Sequence, residues 1–489
     1  MVSTATTDPV ALLQRHFGYP SFRPGQEDLV RAVLAGRDAL GVLPTGGGKS
    51  VCYQVPALAL GGLTVVVTPL VSLMEDQVRR ALEGGLRAAF LSATQTATLR
   101  RETLSRARAG GIDVLFVAPE RLELDAFREE LAGLDVRLLA IDEAHCISEW
   151  GHDFRPSYRR IGRLREILTC PMLALTATAT PDVRADVMAN LGLRDPLVIV
   201  RSFDRPNLSW TVRRGGSLGA RIRVTYRILA GRSGAAIVYA PTRGIVETVR
   251  DRLAGLGLKT QAYHAGLSGP DRSAVQAAFM GSACRVVVAT NAFGMGIDKA
   301  DVRIVTHIQL PSTLEAYYQE AGRAGRDGAP SACVAFYSPR DAKLARRMID
   351  AVHPDLRTLR RVYRSVLRRA GPGGSLPVPA GAGADPDGNA LATLERLGAV
   401  VRPVPGARPA PPGTAARPRG SLPERIYVRE GVDLHPAAAR RRQVLEKLAA
   451  VRRFGRTRGC RRRALLRYFG EVTSADCGCC DRCDRALRL

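Results

Sequence analysis

Long apolar runs are missing from this 489-residue chain. None reaches 18 residues, so the sequence predicts no membrane-spanning helix. Met1 to Asp8 carries neither the basic nor the apolar region of a secretory signal, which sets the expectation of a cytosolic protein. No basic amphipathic helix with an aromatic face stands out, so a membrane is not the expected partner. Lysine is scarce as well. Nearly all of the 72 basic residues are arginine, and 46 acidic residues leave a formal charge of +26. Exchanging lysine for arginine changes no net charge, so the excess itself calls for a polyanionic partner, nucleic acid first. Apolar content of 46% is ordinary for a globular protein, and the length suits about three domains.

The segment Leu43–Ser50, LPTGGGKS, follows an apolar run at Ala39–Leu43 and precedes an amphipathic stretch. A strand, a glycine-rich loop and a helix opening on Lys-Ser form a phosphate cradle. Thr45 and the backbone N–H groups of Gly46, Gly47, Gly48 and Lys49 are candidates to wrap a nucleotide's phosphates. Lys49 would neutralise β/γ oxygens, and the Ser50 hydroxyl would hold Mg²⁺. The strict pattern has Gly where this chain has Leu43, so the motif alone says no more than nucleoside triphosphate binding. A second apolar run, Leu138–Ile141, ends in Asp142-Glu143-Ala144-His145. A carboxylate at a strand's end can reach Mg²⁺ held by Ser50, and Glu143 can polarise an attacking water. Such a pair in isolation reads as a solvated turn; following a cradle, it reads as an ATPase.

Short apolar strands alternate with helical stretches from Ala39 to Leu175 and again from Arg201 to about Arg347. Such alternation predicts an α/β chain of two tandem doubly wound parallel sheets. The expected divisions are 1–200 and 201–347 for these domains, 348–435 for a linker region and 436–489 for a cysteine-bearing module. Within the linker, Gly371–Gly388 and Arg402–Pro423 are rich in Pro, Gly and Ala. Arg357–Arg369 reads as a basic helix, Leu391–Val401 as helix, turn and strand, and Ile426–Val428 as a strand. A winged-helix-like module over 355–432 and a disordered insertion are both open here. Residues 436–489 hold 15 basic and 5 acidic residues, a formal +10 that marks a phosphate-contacting end.

Five cysteines are scattered, at 52, 146, 170, 284 and 333, as buried small apolar residues tend to be. The other five crowd into Cys460–Cys483. Cys460, Cys477, Cys480 and Cys483 have spacing that suits one tetrahedral Zn²⁺ with four thiolates; an iron–sulfur cluster is the other reading. Cys479 is a fifth thiol and reads as a bystander.

Further strings then align in order: Phe17-Gly18-Tyr19 with Phe22–Gln26, VTPLVSLMEDQV (67–78), CISEWGHDFRPSY (146–158), LTATAT (175–180), FDRPNL (203–208), VVATNAFGMGIDKADVR (287–303) and YYQEAGRAGRDG (317–328). Together with the cradle and the Asp-Glu pair, they resemble a superfamily-two helicase of the RecQ type, over roughly 11–347 and 436–485. The resemblance implies two RecA-like domains and a zinc-binding helical module. It implies an ATP-dependent DNA helicase of repair and recombination, moving 3′ to 5′ on single-stranded DNA. By the same resemblance Gln26 would read the adenine edge, with Tyr19 stacking on the ring and Arg23 beside them. Arg326 would be the arginine finger, Arg323 its support, and Gln319 a water- or phosphate-positioning residue. Trp150 and Phe154 would stack on bases, Arg155 would pair with phosphate or the coupling carboxylates, and His145 would couple the domains. ATP, Mg²⁺ and Zn²⁺ are the implied cofactors, and single-stranded and tailed duplex DNA the implied partner. Protein partners such as single-strand-binding protein stay open, and a bacterial-type, nucleoid-associated cytoplasmic protein is expected.

The chain departs from longer relatives in two ways. About ninety residues intervene between the motor and the cysteine-bearing module, which in longer members follows the motor closely, and no segment resembles the family's C-terminal helical nucleic-acid-binding domain. An RNA helicase, a duplex translocase on the same motor, or a non-catalytic nucleic-acid-binding scaffold are the competing readings.

Overall fold

The computed structural model describes residues 8–69, 71–92, 95–151, 153–294, 297, 299–370, 374–377, 386–401 and 425–484. Most of Gly371–Gly388 and all of Arg402–Pro423 therefore lie outside the described residues. The chain divides into two compact units, Met1–Ser338 with Arg453–Leu489, and Pro339–Arg452.

The larger unit contains two parallel sheets. The first comprises β1 (Ala39–Val42), β2 (Leu63–Val67), β3 (Ala88–Leu91), β4 (Val114–Val117), β5 (Val136–Ile141), β6 (Met172–Thr176) and β7 (Leu197–Val200), in spatial order β3-β4-β2-β5-β6-β1-β7. The second comprises β8 (Leu208–Arg214), β9 (Ala235–Tyr239), β10 (Thr260–Tyr263), β11 (Val286–Ala289), β12 (Val302–His307) and β13 (Ser331–Tyr337), in order β10-β11-β9-β12-β13-β8. Every pairing within both sheets is parallel. Parallel strands need helical crossovers, which cover both faces and bury the interior strands throughout. That is why β1, β2, β4, β6, β9 and β11 are buried at every position.

Every interior strand of the two sheets is an apolar run readable in the sequence. The four sheet edges are β3, β7, β8 and β10; β3 (Ala-Ala-Phe-Leu) and β7 (Leu-Val-Ile-Val) are apolar as well, whereas β8 and β10 mix polarity. An edge strand meets solvent along one side and tolerates mixed polarity; β10, for instance, reads Thr-Gln-Ala-Tyr.

One buried carboxylate fixes how β1 enters its sheet. Asp38 accepts from Met172 N at 2.8 Å and Arg194 N at 2.7 Å, and pairs with Arg165 at 2.5 Å. It thereby binds β1 to its neighbour β6 and to the approach to β7. Gly41 on β1 permits close helix packing, since a Cβ there would fall 2.6 Å from Leu29 Cδ1 and 2.8 Å from Leu175 Cδ2.

The C-terminal part of the larger unit docks on the second sheet through aromatic side chains. Phe203 and Phe469 stack at 4.5 Å between centroids, Tyr318 meets Phe469 edge-on at 5.0 Å, and Tyr317 meets Phe454 at 5.5 Å. Trp210 pairs through its backbone with Cys480 in an isolated bridge. Polar contacts fix the register: Glu471 accepts from Ser202 Oγ at 2.8 Å and from Phe203 N, and Arg462 pairs with Asp204.

The smaller unit has its own core. The Leu356–Ala370 and Pro386–Arg396 helices pack on an antiparallel sheet of β14 (Ser375–Pro377), β15 (Val400–Val401) and β16 (Arg425–Val428), in order β14-β16-β15. Leu359, Val366, Leu394, Val400 and Ile426 form its buried centre.

Arg461 is wholly buried. Its Nε and Nη2 donate to the two Asp481 carboxylate oxygens at 2.9 and 3.1 Å, and Nη1 donates to Phe454 O. Removing one partner of a buried pair strands the other charge, at a cost of about 3–5 kcal/mol. Arg461→Met should lower stability by that amount in urea unfolding of the full chain. Arg463→Met, which breaks a half-exposed pair with Asp476, should cost at most about 1 kcal/mol.

Candidate active site and thiolate cluster

The C-terminal end of β1 turns into the glycine loop 44–48, and the Val51–Leu60 helix begins directly after Ser50. Gly46 and Gly48 have φ of +80° and +70°, which side-chain-bearing residues rarely adopt. Asp142 and Glu143 follow β5. Carboxyl ends of strands in open α/β sheets form ligand crevices, and this one obeys the rule. Thr45 to Ser50, Asp142, Glu143 and Ala177 line one cleft from the first sheet's side; Gly294, Ile297, Gln319, Arg323 and Arg326 line it from the second.

Within the cleft, Lys49 Nζ lies 3.4 Å from Glu143 Oε1. Glu143 sits in the left-handed region at φ +47°, a conformation that costs a non-glycine residue energy and is over-represented at functional turns. Its N–H donates to Asp142 Oδ1 at 2.9 Å. Burial, and after it the charge of Glu143, push the Asp142 carboxyl up to about 6, with Lys49 working in the opposite direction. A buried carboxyl so raised is one that an added positive charge would strongly favour in its ionised form.

His145 is buried, 2.9 Å from Thr176 Oγ1 and 3.3 Å from Glu143 Oε2 through Nδ1. Burial pulls its pKa down, but Cys146 and Glu143 outweigh that and raise it to about 10. Burial also raises the Cys146 thiol, with the charge of His145 working against it. All these His145 contacts lie within the first lobe.

Gln26 and Arg23 make contacts within the first lobe that the sequence pattern does not announce. Gln26 Nε2 donates to Gly47 O and Gly48 O, both at 2.9 Å, and its Oε1 accepts from Arg23 N at 2.8 Å. Arg23 Nη1 donates to Gly46 O at 2.5 Å. Both residues therefore brace the glycine loop, and a bidentate adenine contact by Gln26 would require these bonds to exchange. Tyr19 is 50% exposed and available for stacking, whereas Phe22 packs against an apolar cluster with Leu13 and Val30.

Arg323 and Arg326 do not share a helix face. The Leu314–Ala321 helix ends before them, and a turn running from Gly322 to Gly328 carries both into the cleft. Arg326 packs against the loop so closely that a Cβ on Gly46 would fall 3.2 Å from its Cγ. Trp150 is 44% exposed. Half-buried Phe154 lies under Arg159, 5.9 Å from Cζ to the ring centroid. Arg155 donates to Pro69 O at 2.7 Å and pairs with Asp153 at 3.2 Å, and so braces this loop instead of meeting Asp142 or Glu143.

One residue with no local sequence signal of its own also reaches the cleft. Arg205, in FDRPNL, donates through Nη1 to Thr45 O at 3.3 Å and Gly322 O at 3.2 Å. Its Nη2 donates to Ala324 O and Gly325 O, both at 2.9 Å. It thus joins the glycine loop to the turn bearing Arg323 and Arg326. Its spacing from either element is too long for local periodicity to reveal. Asp76 and Gln77, within VTPLVSLMEDQV, line the cleft too.

The sulfurs of Cys460, Cys477, Cys480 and Cys483 all lie within 4.8 Å of one another. Zn–S bonds of about 2.3 Å in a tetrahedron give S···S edges of about 3.8 Å. The Cys477–Cys483 and Cys480–Cys483 separations of 3.9 and 3.4 Å bracket that value, so the thiols fit the ion. Backbone N–H groups of Arg461 and Arg463 point to Cys480 and Cys460 at 3.4 Å, as expected around bound thiolates. Cys479 instead faces Leu208 O at 3.7 Å and stands outside the cluster.

Residues 23–187 match the DEAD/DEAH box helicase family, 220–328 the helicase conserved C-terminal domain, and 425–484 the RecQ zinc-binding family. The chain is 45% identical over 332 residues to "ATP-dependent DNA helicase RecQ" of Pasteurella multocida, a match covering 68% of this chain and 52% of that protein. It is 41% identical over 340 residues to "Probable ATP-dependent DNA helicase RecS" of Bacillus subtilis, covering 69% and 68%. The chain thus spans about half the length of the Pasteurella relative and two thirds of the Bacillus one. Among solved structures, Mycobacterium smegmatis helicase Lhr bound to single-stranded DNA and AMP-PNP superposes with a TM-score of 0.56 at 22% identity, over 89% of this chain and 62% of that one. That likeness concerns the fold of two RecA-like lobes. No helix among the described residues is long and apolar enough to cross a membrane. The three family matches follow one another along the chain, the relative at 41% identity is covered over 68% of its length, and the chain belongs to the RecQ family of superfamily-two helicases.

Proposed function

We propose that this chain is an ATP-dependent DNA helicase that hydrolyses nucleotide in the cleft and thereby moves along single-stranded DNA, 3′ to 5′. The observation that carries the reading is the common cleft: Lys49, Asp142, Glu143 and Arg326 line it from two separate lobes. The N–H groups of Gly46 to Lys49 would hold the phosphates, Ser50 and Asp142 would hold Mg²⁺, and the four cluster cysteines would hold Zn²⁺. When bound, Mg²⁺ neutralises phosphate charge and Zn²⁺ cross-links the C-terminal module.

The protein groups have distinct tasks in this reading. Lys49, now beside Glu143, would turn to the phosphates and leave Glu143 to orient water. Arg326 would bring charge to the opposite side of the transferring group, with Arg323 and Gln319 positioning it. Gln26 and Arg23 would keep the glycine loop in its binding shape, with Tyr19 over the base. Arg205 would keep finger turn and loop in register. Trp150 and Phe154 would stack on bases of the strand, with Arg155 bracing their loop. His145 would transmit strand occupancy to Glu143 through the contact they share. The divisions 1–200, 201–347, 348–435 and 436–489 serve as the functional parts. Residues 355–432 act as a winged-helix-like module, a reading supported by the β14-β16-β15 order.

Lys49→Ala should abolish hydrolysis. Arg326→Ala should lower kcat by about 10³ to 10⁵ with nucleotide binding retained, as measured by steady-state hydrolysis and equilibrium titration of a fluorescent nucleotide. Side-by-side stimulation by single-stranded DNA, duplex DNA and RNA tests the substrate; stimulation by RNA alone would refute the DNA assignment.

Trp150→Ala should retain basal hydrolysis and lose most of its stimulation by single-stranded DNA. Undiminished stimulation would reject its coupling role.

Cys477→Ser should lose bound zinc, measured by elemental analysis, together with thermal stability. Cys479→Ser should keep one zinc per chain.

A further inference from the structure

We propose that the outward face of the Leu356–Ala370 helix is a second nucleic-acid site, which takes the phosphate backbone of duplex DNA without reading its sequence. The inference rests on the nucleic-acid reading of the motor. Residues 329–424 fall outside the three matched families, so no family match assigns a role to this helix.

Arg357, Arg360, Arg361, Arg364 and Arg368 recur at helical spacing and are all exposed. With Leu367 they line an open groove. At 1.5 Å per residue the stripe runs for about 16 Å. A duplex offers roughly ten phosphates over that length, counting both strands. Arginine suits phosphate because its planar fork donates two parallel bonds.

The stripe is also costly to the helix itself. Arg357–Arg361, Arg360–Arg364 and Arg364–Arg368 are like charges four residues apart, each pair destabilising by a few tenths of a kcal/mol. The helix contains no Asp or Glu to offset them. An ordinary solvated face alternates charge signs; this one does not.

The opposite face settles which polyanion fits. Leu359, Val362, Tyr363 and Val366 are buried in the core of the smaller unit. Tyr363, the helix's one aromatic, donates its hydroxyl to Arg429 O at 2.5 Å. The stripe therefore has no ring on which unpaired bases could stack, as a single-strand site requires. It also has no aromatic or broad apolar face to enter a lipid surface. A duplex backbone needs neither.

The test compares the full chain with two triple variants, Arg360→Gln/Arg364→Gln/Arg368→Gln and the same three positions changed to Lys. Affinity for a blunt duplex and for oligothymidylate is measured across a salt series. The Gln triple should reduce the duplex slope of log K against log salt by about 2 to 3, at about 0.9 per phosphate contact. The Lys triple should keep that slope, and oligothymidylate affinity should stay constant in all three. An unchanged duplex slope, an equal fall for oligothymidylate, or a Lys triple that falls as far as the Gln triple would each overturn the proposal. So would loss of phosphatidylserine-vesicle binding in the Gln triple with duplex binding intact. Oligothymidylate-stimulated hydrolysis of the parent chain reports on the motor separately: its absence removes the helicase reading, whereas its presence beside an unchanged duplex slope removes the stripe alone.

Discussion

Arg205 contributes the interaction on which the cleft's geometry depends. Its guanidinium spends four bonds on backbone carbonyls, one on the glycine loop and three on the turn that bears Arg323 and Arg326. Backbone carbonyls report where a loop runs, regardless of which side chains it carries. A planar, always-charged group bound to both loops therefore ties the two walls of the cleft together. Thr45 and Gly322 are close enough that a Cβ on the glycine would fall 3.4 Å from Thr45 Cβ, so the contact tolerates little bulk.

The segment around Arg205 also meets the thiolate module. Ser202 and Phe203 are held by Glu471, Asp204 by Arg462, and Phe203 by the ring of Phe469. Four successive residues thus serve two masters, the first three gripped by the C-terminal module and the fourth gripping the glycine loop. The carboxylates at the far wall are tied in similar fashion: Tyr158 donates to Asp142 O at 3.2 Å and His145 bridges Glu143 to Thr176. Asp142 and Glu143 are each positioned by a buried neighbour whose own place the fold determines.

Much of this could be read from the sequence, for physical reasons. Interior parallel strands are apolar on both faces, so β1, β2, β4, β5 and β6 announce themselves, as do β9, β11, β12 and β13. The edge strands β8 and β10 do not, because their environment is mixed. Phosphate chemistry is legible because it demands Gly, Lys and carboxylate at fixed local spacing, and the thiolate set because metal ligands recur at short intervals. Long-range geometry is what escaped. Nothing in the local pattern around Gln26 tells that its amide binds the glycine loop, around Arg155 that it turns to Pro69, or around Arg205 that it spans two loops. The turn after Ala321 hides too: Arg323 and Arg326 have helical spacing, yet Gly322 and Gly325 end the helix and let the turn carry them, with Gly325 at φ +55°.

The route of the backbone near Ser338 has a further consequence. The larger unit is interrupted by Pro339–Arg452 and resumes at Arg453. At that junction Gly455 lies against the Tyr337 ring, where a Cβ would fall 2.7 Å from Cγ, and Arg214 donates to Gly455 O at 3.3 Å. Exit and re-entry are neighbours, the arrangement that lets one domain be inserted into another without straining its host. The intervening stretch is topologically a cassette. Evolution, or a protein engineer, can exchange it for another with closely spaced ends and leave the two-sheet host intact.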